Sequence, residues 1–112
     1  MLTCPNLQAV ARLVAEDKLM DPAYVSPAGP IRPIDILYGH SPSIAQGNLY
    51  MAHHCGFTHK ALMSALQAAG FGSFAVLSRD HPYYDLWALA TVQAMEEVAL
   101  RRLATGHFPV SP

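Results

Sequence analysis

Leu7, Val10, Ala11 and Val14 recur at the spacing of one helical face, and Leu19 continues the stripe. The pattern predicts a helix over 7–19, with Asn6 as its N-cap and Pro22 just past its end. Ahead of it, residues 1–4 are short and apolar and read as the tail end of a strand. Further on, THKALMSALQAAG places Leu62, Leu66 and Ala69 on one face with Met63 beside them. Thr58 is the expected N-cap of this helix, and Gly70 its left-handed exit. Two strands come next, over 73–77 and 85–90, apolar on both faces and joined by a turn over 79–84 that contains Pro82. Their closeness in sequence predicts an antiparallel hairpin. A last helix is expected over 91–104, with Val92, Met95, Val98 or Ala99, and Leu103 as its apolar stripe. Glu97 and Arg101 form an i, i+4 ion pair on it.

Between the first two helices the pattern breaks down. Pro22, Pro27, Pro30 and Pro33 exclude a regular helix, so 21–34 reads as a long loop of the kind that serves as a lid or binding segment. Short helical turns are expected at 34–38, ended by Gly39, and at 43–46, ended by Gly47. Strands apolar on both faces suit a layered sheet covered by helices on both sides, so the fold class is α/β.

The chain of 112 residues is enough for one domain, 1–112. Only 13% of its residues are charged against 52% hydrophobic, so it has little charge with which to cover a surface. That balance implies a partner or a larger body. The net charge of −1, without runs of one sign, gives no footprint for nucleic acid or an anionic membrane. No apolar stretch approaches a bilayer span, and the N-terminus lacks the pattern of a signal peptide, so a cytoplasmic protein is expected. In that reducing compartment Cys4 and Cys55 are expected as free thiols.

The segment MAHHCGFTHK concentrates His53, His54, Cys55 and His59. Structural zinc asks for four ligands at spacings such as CxxC or HxxxH, and neighbouring side chains here diverge, so no metal is expected. Cys55 beside His54 is not a nucleophile signature, and the simpler reading is a buried, inert thiol. General acid–base chemistry is the stronger alternative, because Asp35, Tyr38, His40, His53 and His54 lie around the long loop and histidine titrates near neutrality. On the residues alone, structural hydrogen bonding by the same side chains is the favoured reading over acid–base chemistry. GFGSF at 70–74 leaves a helix and enters a strand, the reverse of a phosphate-binding turn.

GFTHKALMSALQAAGFGSFAV followed by DLWALA resembles the C-terminal part of class I S-adenosylmethionine-dependent methyltransferases, in which such a helix leads into the last antiparallel pair of strands. LTCPNLQAVARLVAEDKL resembles the end of their fifth strand and the segment after it. YVSPAGPIRPIDILYGH with NLYMAHHCGFT is similar to a bacterial subgroup of predicted methyltransferases of unknown substrate. The resemblance spans about residues 2–90. It implies a partial Rossmann-like methyltransferase sheet with a C-terminal antiparallel strand pair and flanking helices. It also implies that Asp35, Tyr38, His40, His53 and His54 fall on the substrate side. The family's glycine-rich turn and acidic cofactor residue have no counterpart in the chain, so S-adenosylmethionine is expected for the full family domain and no cofactor for this chain alone. Alone, such a piece is expected to be catalytically silent and to need an upstream half. Two other expectations stand beside this one. The first is a stand-alone binding or assembly module that forms a homodimer through the open edge of its first strand. The second is a small independent enzyme built on the histidine cluster.

Overall fold

The computed structural model describes residues 1–48, 52–53 and 55–109, and within them the chain is mixed α and β. β1 (Leu2–Pro5) runs straight into α1 (Leu7–Ala15). Asn6 caps α1 as the sequence predicts, its side chain accepting from the Ala9 N–H. The helix stops at Ala15, short of Leu19. Asp17 turns left-handed with φ 61°, and the N–H groups of Asp17 and Lys18 donate to the carbonyls of Val14 and Leu13, both at 3.0 Å. These are the two bonds of a Schellman cap, with Asp taking the place usually given to Gly.

The stretch 21–34 is not a structureless loop. It holds an antiparallel hairpin of β2 (Tyr24–Ser26) and β3 (Gly29–Ile31), with Tyr24 opposite Ile31. Proline excludes a helix but not a ribbon of two strands, where Pro30 need not donate to a further neighbour. Ser26 closes the turn: its hydroxyl accepts from the Ala28 N–H and donates to the Gly29 carbonyl, both at 3.1 Å. The two expected helical turns are α2 (Pro33–Tyr38) and α3 (Ser41–Ala45).

α4 (His59–Ala68) begins after its Thr58 cap and leaves through Gly70, with φ 92°. The expected hairpin is present as β4 (Ser73–Arg79) and β5 (Asp85–Thr91). β5 also pairs antiparallel with β1, so the sheet order is β1-β5-β4. The register aligns Cys4 with Leu86 and Ser78, and Val76 with Ala88. One face of the sheet therefore carries Cys4, Phe74, Val76, Leu86, Ala88 and Ala90, and Leu62 and Leu66 of α4 pack onto it. Leu86 is wholly buried there, and burial of such a side chain stabilises by about 1.5–3 kcal/mol. A second cluster joins Ala9 and Val10 of α1, Ile31 of β3, Ile36 of α2 and Tyr84.

The last helix, α5 (Glu97–His107), starts later than its apolar spacing predicts. Residues 92–96 are used instead to fold back over the start of β4, where the Met95 N–H donates to Ser73 Oγ at 2.8 Å. Val98 and Leu103 are consequently exposed, and Ala104 is the buried position. The Glu97–Arg101 pair forms as expected, at 2.8 Å on the exposed face.

Candidate functional site

A cavity of about 310 Å³ opens where the carboxyl end of β1, the β2–β3 hairpin, α2 and the turn before β5 meet. Asp35, His40 and His53 line it together, although they are separated in sequence. Tyr38 lies on α2 with 64% of its surface exposed and is not part of the wall, so that candidate is not brought to the site. A six-residue helix presents only one side inward, and Asp35 and Ile36 occupy it. His54 falls outside the described residues.

Asp35 is the most firmly held of the candidates. It sits in the first turn of α2, 5% exposed. Its Oδ2 accepts from the Arg32 N–H at 2.9 Å and from Arg32 Nε at 3.3 Å, and its Oδ1 accepts from the Ser41 N–H at 3.0 Å. Burial works against the charge but is outweighed by the bonds from Arg32 and Ser41, which hold the carboxyl well below the usual carboxylate range. A carboxylate stabilised in this way is a poor proton acceptor. The acid–base expectation is corrected at this residue: Asp35 fixes the starts of α2 and α3 and contributes a fixed charge.

His53 differs. Its N–H donates to the Tyr38 carbonyl at 3.0 Å, and its Nδ1 lies 2.9 Å from the Ile36 carbonyl oxygen. A carbonyl only accepts, so Nδ1 carries the proton and Nε2 is left with a lone pair in the neutral ring. His40 also reaches the cavity, with Nδ1 2.7 Å from the Ser43 hydroxyl.

Sequence reasoning missed the aromatic and acidic wall opposite. Tyr24 and Tyr84 stack with ring centroids 6.4 Å apart. Tyr84 is buried, adopts a positive φ of 50°, and holds His81 Nδ1 at 3.1 Å through its hydroxyl. Burial, followed by the charges of Asp85 and Asp35, pushes the Tyr24 phenol up, so it stays a neutral hydrogen-bond donor. Asp85 receives both arms of Arg79, at 2.7 and 2.6 Å, and the Trp87 indole N–H at 3.1 Å. The Arg79 guanidinium in turn lies 3.8 Å from the centre of the Tyr83 ring. The signal was present in the run DHPYYD, where the dense aromatic and acidic residues read only as a turn.

Among the described residues no three His, Cys, Asp or Glu side chains gather as a metal site. His59 opens α4 as expected but does not point only to solvent, since its Nδ1 lies 2.5 Å from Ser78 Oγ on β4. Cys55 is exposed, not buried. Gly72 provides no cofactor cradle: a Cβ there would collide with the backbone of Gln93 and Ala94, so the space above it is filled by this chain's own return loop. No helix among the described residues is long and apolar enough to cross a membrane. Comparison with protein-family models, curated proteins and solved structures gives no match.

Proposed function

We propose that the chain forms the substrate side of an S-adenosylmethionine-dependent methyltransferase, and that the cavity receives the methyl acceptor. The observation that carries this reading is the meeting of Asp35, His40 and His53 with Tyr24 and Tyr84 at the carboxyl end of β1. In open α/β sheets, ligands bind outside the carboxyl ends of strands. The order of elements supports the reading as well. A first strand is followed, across α4, by a closing antiparallel pair, which is the order that the sequence resemblance implies. β1 stands at one edge of the sheet, where further strands of a partial Rossmann-like sheet would join.

This reading assigns the cofactor to a companion segment, upstream in the same polypeptide or on another chain. The residues of this chain bind and orient the acceptor. Tyr24, Tyr84 and Ile31 offer an apolar, largely aromatic slot, and its volume suits a small planar molecule. The Tyr24 hydroxyl is available to orient a polar group on that molecule. His53 Nε2 is the proton acceptor for a hydroxyl or amine at the cavity mouth, with its tautomer set by the Ile36 carbonyl.

The test is isolation of the protein from its own cells, with intact mass and methyl transfer from labelled S-adenosylmethionine measured on the same sample. A species larger than 12.1 kDa, or a complex, that transfers methyl groups is the expected result. Stoichiometric S-adenosylmethionine binding by the 112-residue chain alone would overturn the division of labour. A homodimer of 12.1 kDa chains without transfer activity would favour an assembly module paired through the β1 edge.

A further inference from the structure

The segment ahead of α4 returns to the chain's first strand. Asn6 and Phe57 form a parallel bridge, and the Leu7 N–H donates to the Phe57 carbonyl at 3.1 Å. This contact lies on the side of the chain away from β5, because the Asn6 N–H is already given to the Tyr84 carbonyl at 2.9 Å. In a parallel pairing both chains advance together. Cys4 stands two residues before the bridge on one segment, and Cys55 two residues before it on the other.

Cys4 and Phe57 both pack against the cluster of Leu62, Leu66, Leu86 and Ala88.

We infer that Cys4 and Cys55 are a dithiol that closes into an intramolecular disulfide by exchange with a small-molecule disulfide such as oxidised glutathione. The inference does not depend on the methyl-transfer reading. Cys55 is exposed and Cys4 half-buried, so Cys55 meets the oxidant first. The Cys55 thiolate attacks one sulfur of oxidised glutathione. A bond forms between Cys55 Sγ and that sulfur, the glutathione disulfide breaks, and one glutathione leaves as a thiolate that takes up a proton. Cys4, deprotonated, then attacks Cys55 Sγ. The Cys4–Cys55 bond forms, and the second glutathione leaves and is protonated. The protein loses two hydrogens and is oxidised; the small disulfide gains them and is reduced. Burial first, then the charges of Asp85 and of Cys55, push the Cys4 thiol up, so little of it is thiolate and its attack is left to the second, intramolecular step. Closure would staple the segment that carries His53 to β1.

The reduced full chain is incubated with oxidised glutathione and read by intact mass and non-reducing electrophoresis. The expected product is a single chain lighter by two hydrogens and free of glutathione. Cys4→Ser should stop at one glutathione retained on Cys55, and Cys4→Ala gives the same readout with a smaller side chain should the serine variant fold poorly. Cys55→Ser, at an exposed position, should lose the rapid reaction. Wild-type protein that keeps its glutathione, links two copies, or stays reduced while Cys55 reacts with an alkylating agent would overturn the inference.

Discussion

His53 presents its Nδ1 2.9 Å from the carbonyl oxygen of Ile36, a residue on the helix that also carries Asp35. One backbone carbonyl thereby decides which nitrogen carries the proton in the neutral ring. In the neutral ring the Nδ1–H tautomer should dominate. Long-range proton–nitrogen correlation spectra should show Nδ1 protonated and Nε2 bare, and an Nε2–H tautomer would contradict the arrangement.

The same geometry makes His53 the residue whose loss matters most to proton transfer. Under the proposed function, His53→Ala in the methyl-transferring species should lower methyl transfer by about 10²–10⁴-fold while acceptor binding changes far less. An equal fall in both would mean that His53 only shapes the cavity.

Asp35 should act on stability, not on proton transfer. Its folded carboxyl ionises more readily than an unfolded one, for which the pKa is about 3.9. The stability it contributes is therefore fully present above that value and is lost as pH falls through the lower, folded value. Asp35→Asn should cost about 2 kcal/mol near neutral pH, since it weakens bonds to a charged acceptor. It should also flatten the acid dependence of the urea midpoint. A variant that keeps the wild-type acid slope would assign that slope to other carboxylates.

Arg79 and Asp85 pair across the β4–β5 register with both side chains largely covered. Lysine cannot reproduce two parallel bonds to a carboxylate or lie flat on Tyr83. Arg79→Lys should cost about 1–3 kcal/mol in urea unfolding. Trp87 is the chain's single tryptophan and donates to the same carboxylate, so its emission should shift with the substitution.

The elements carried by local rules were legible in the sequence. Asn6 and Thr58 each cap the helix they precede, and Gly70 ends α4. The β4–β5 hairpin arises from two apolar runs separated by a proline turn. The features that escaped are set by distant contacts. The β2–β3 hairpin hides in a proline-rich stretch because its strands are three residues each, too short for alternation to register. The start of α5 is displaced by bonds between Met95 and Ser73, which no periodicity contains. At the site, Asp35, His40 and His53 were singled out by residue type, whereas Tyr24, Tyr84 and Asp85 belong to it only because β5 lies between β1 and β4 and brings its preceding turn back to the hairpin.

Tyr84 holds a left-handed backbone with both of its main-chain groups engaged, its N–H by Asp80 and its carbonyl by Asn6. That backbone cannot move without undoing the turn before β5 and the entry to α1 at once, and its ring is buried against Tyr24. The two sides of the cavity therefore have unequal freedom. The tyrosine side is a mould cast when the sheet folds, against which an incoming molecule must already have the right outline. On the histidine side, His53 hangs from two backbone carbonyls of one short helix, and His40 from a hydroxyl of the next. Under the proposed function, shape would be judged on the first side and chemistry performed on the second, so variants that change what is accepted need not change how fast it reacts.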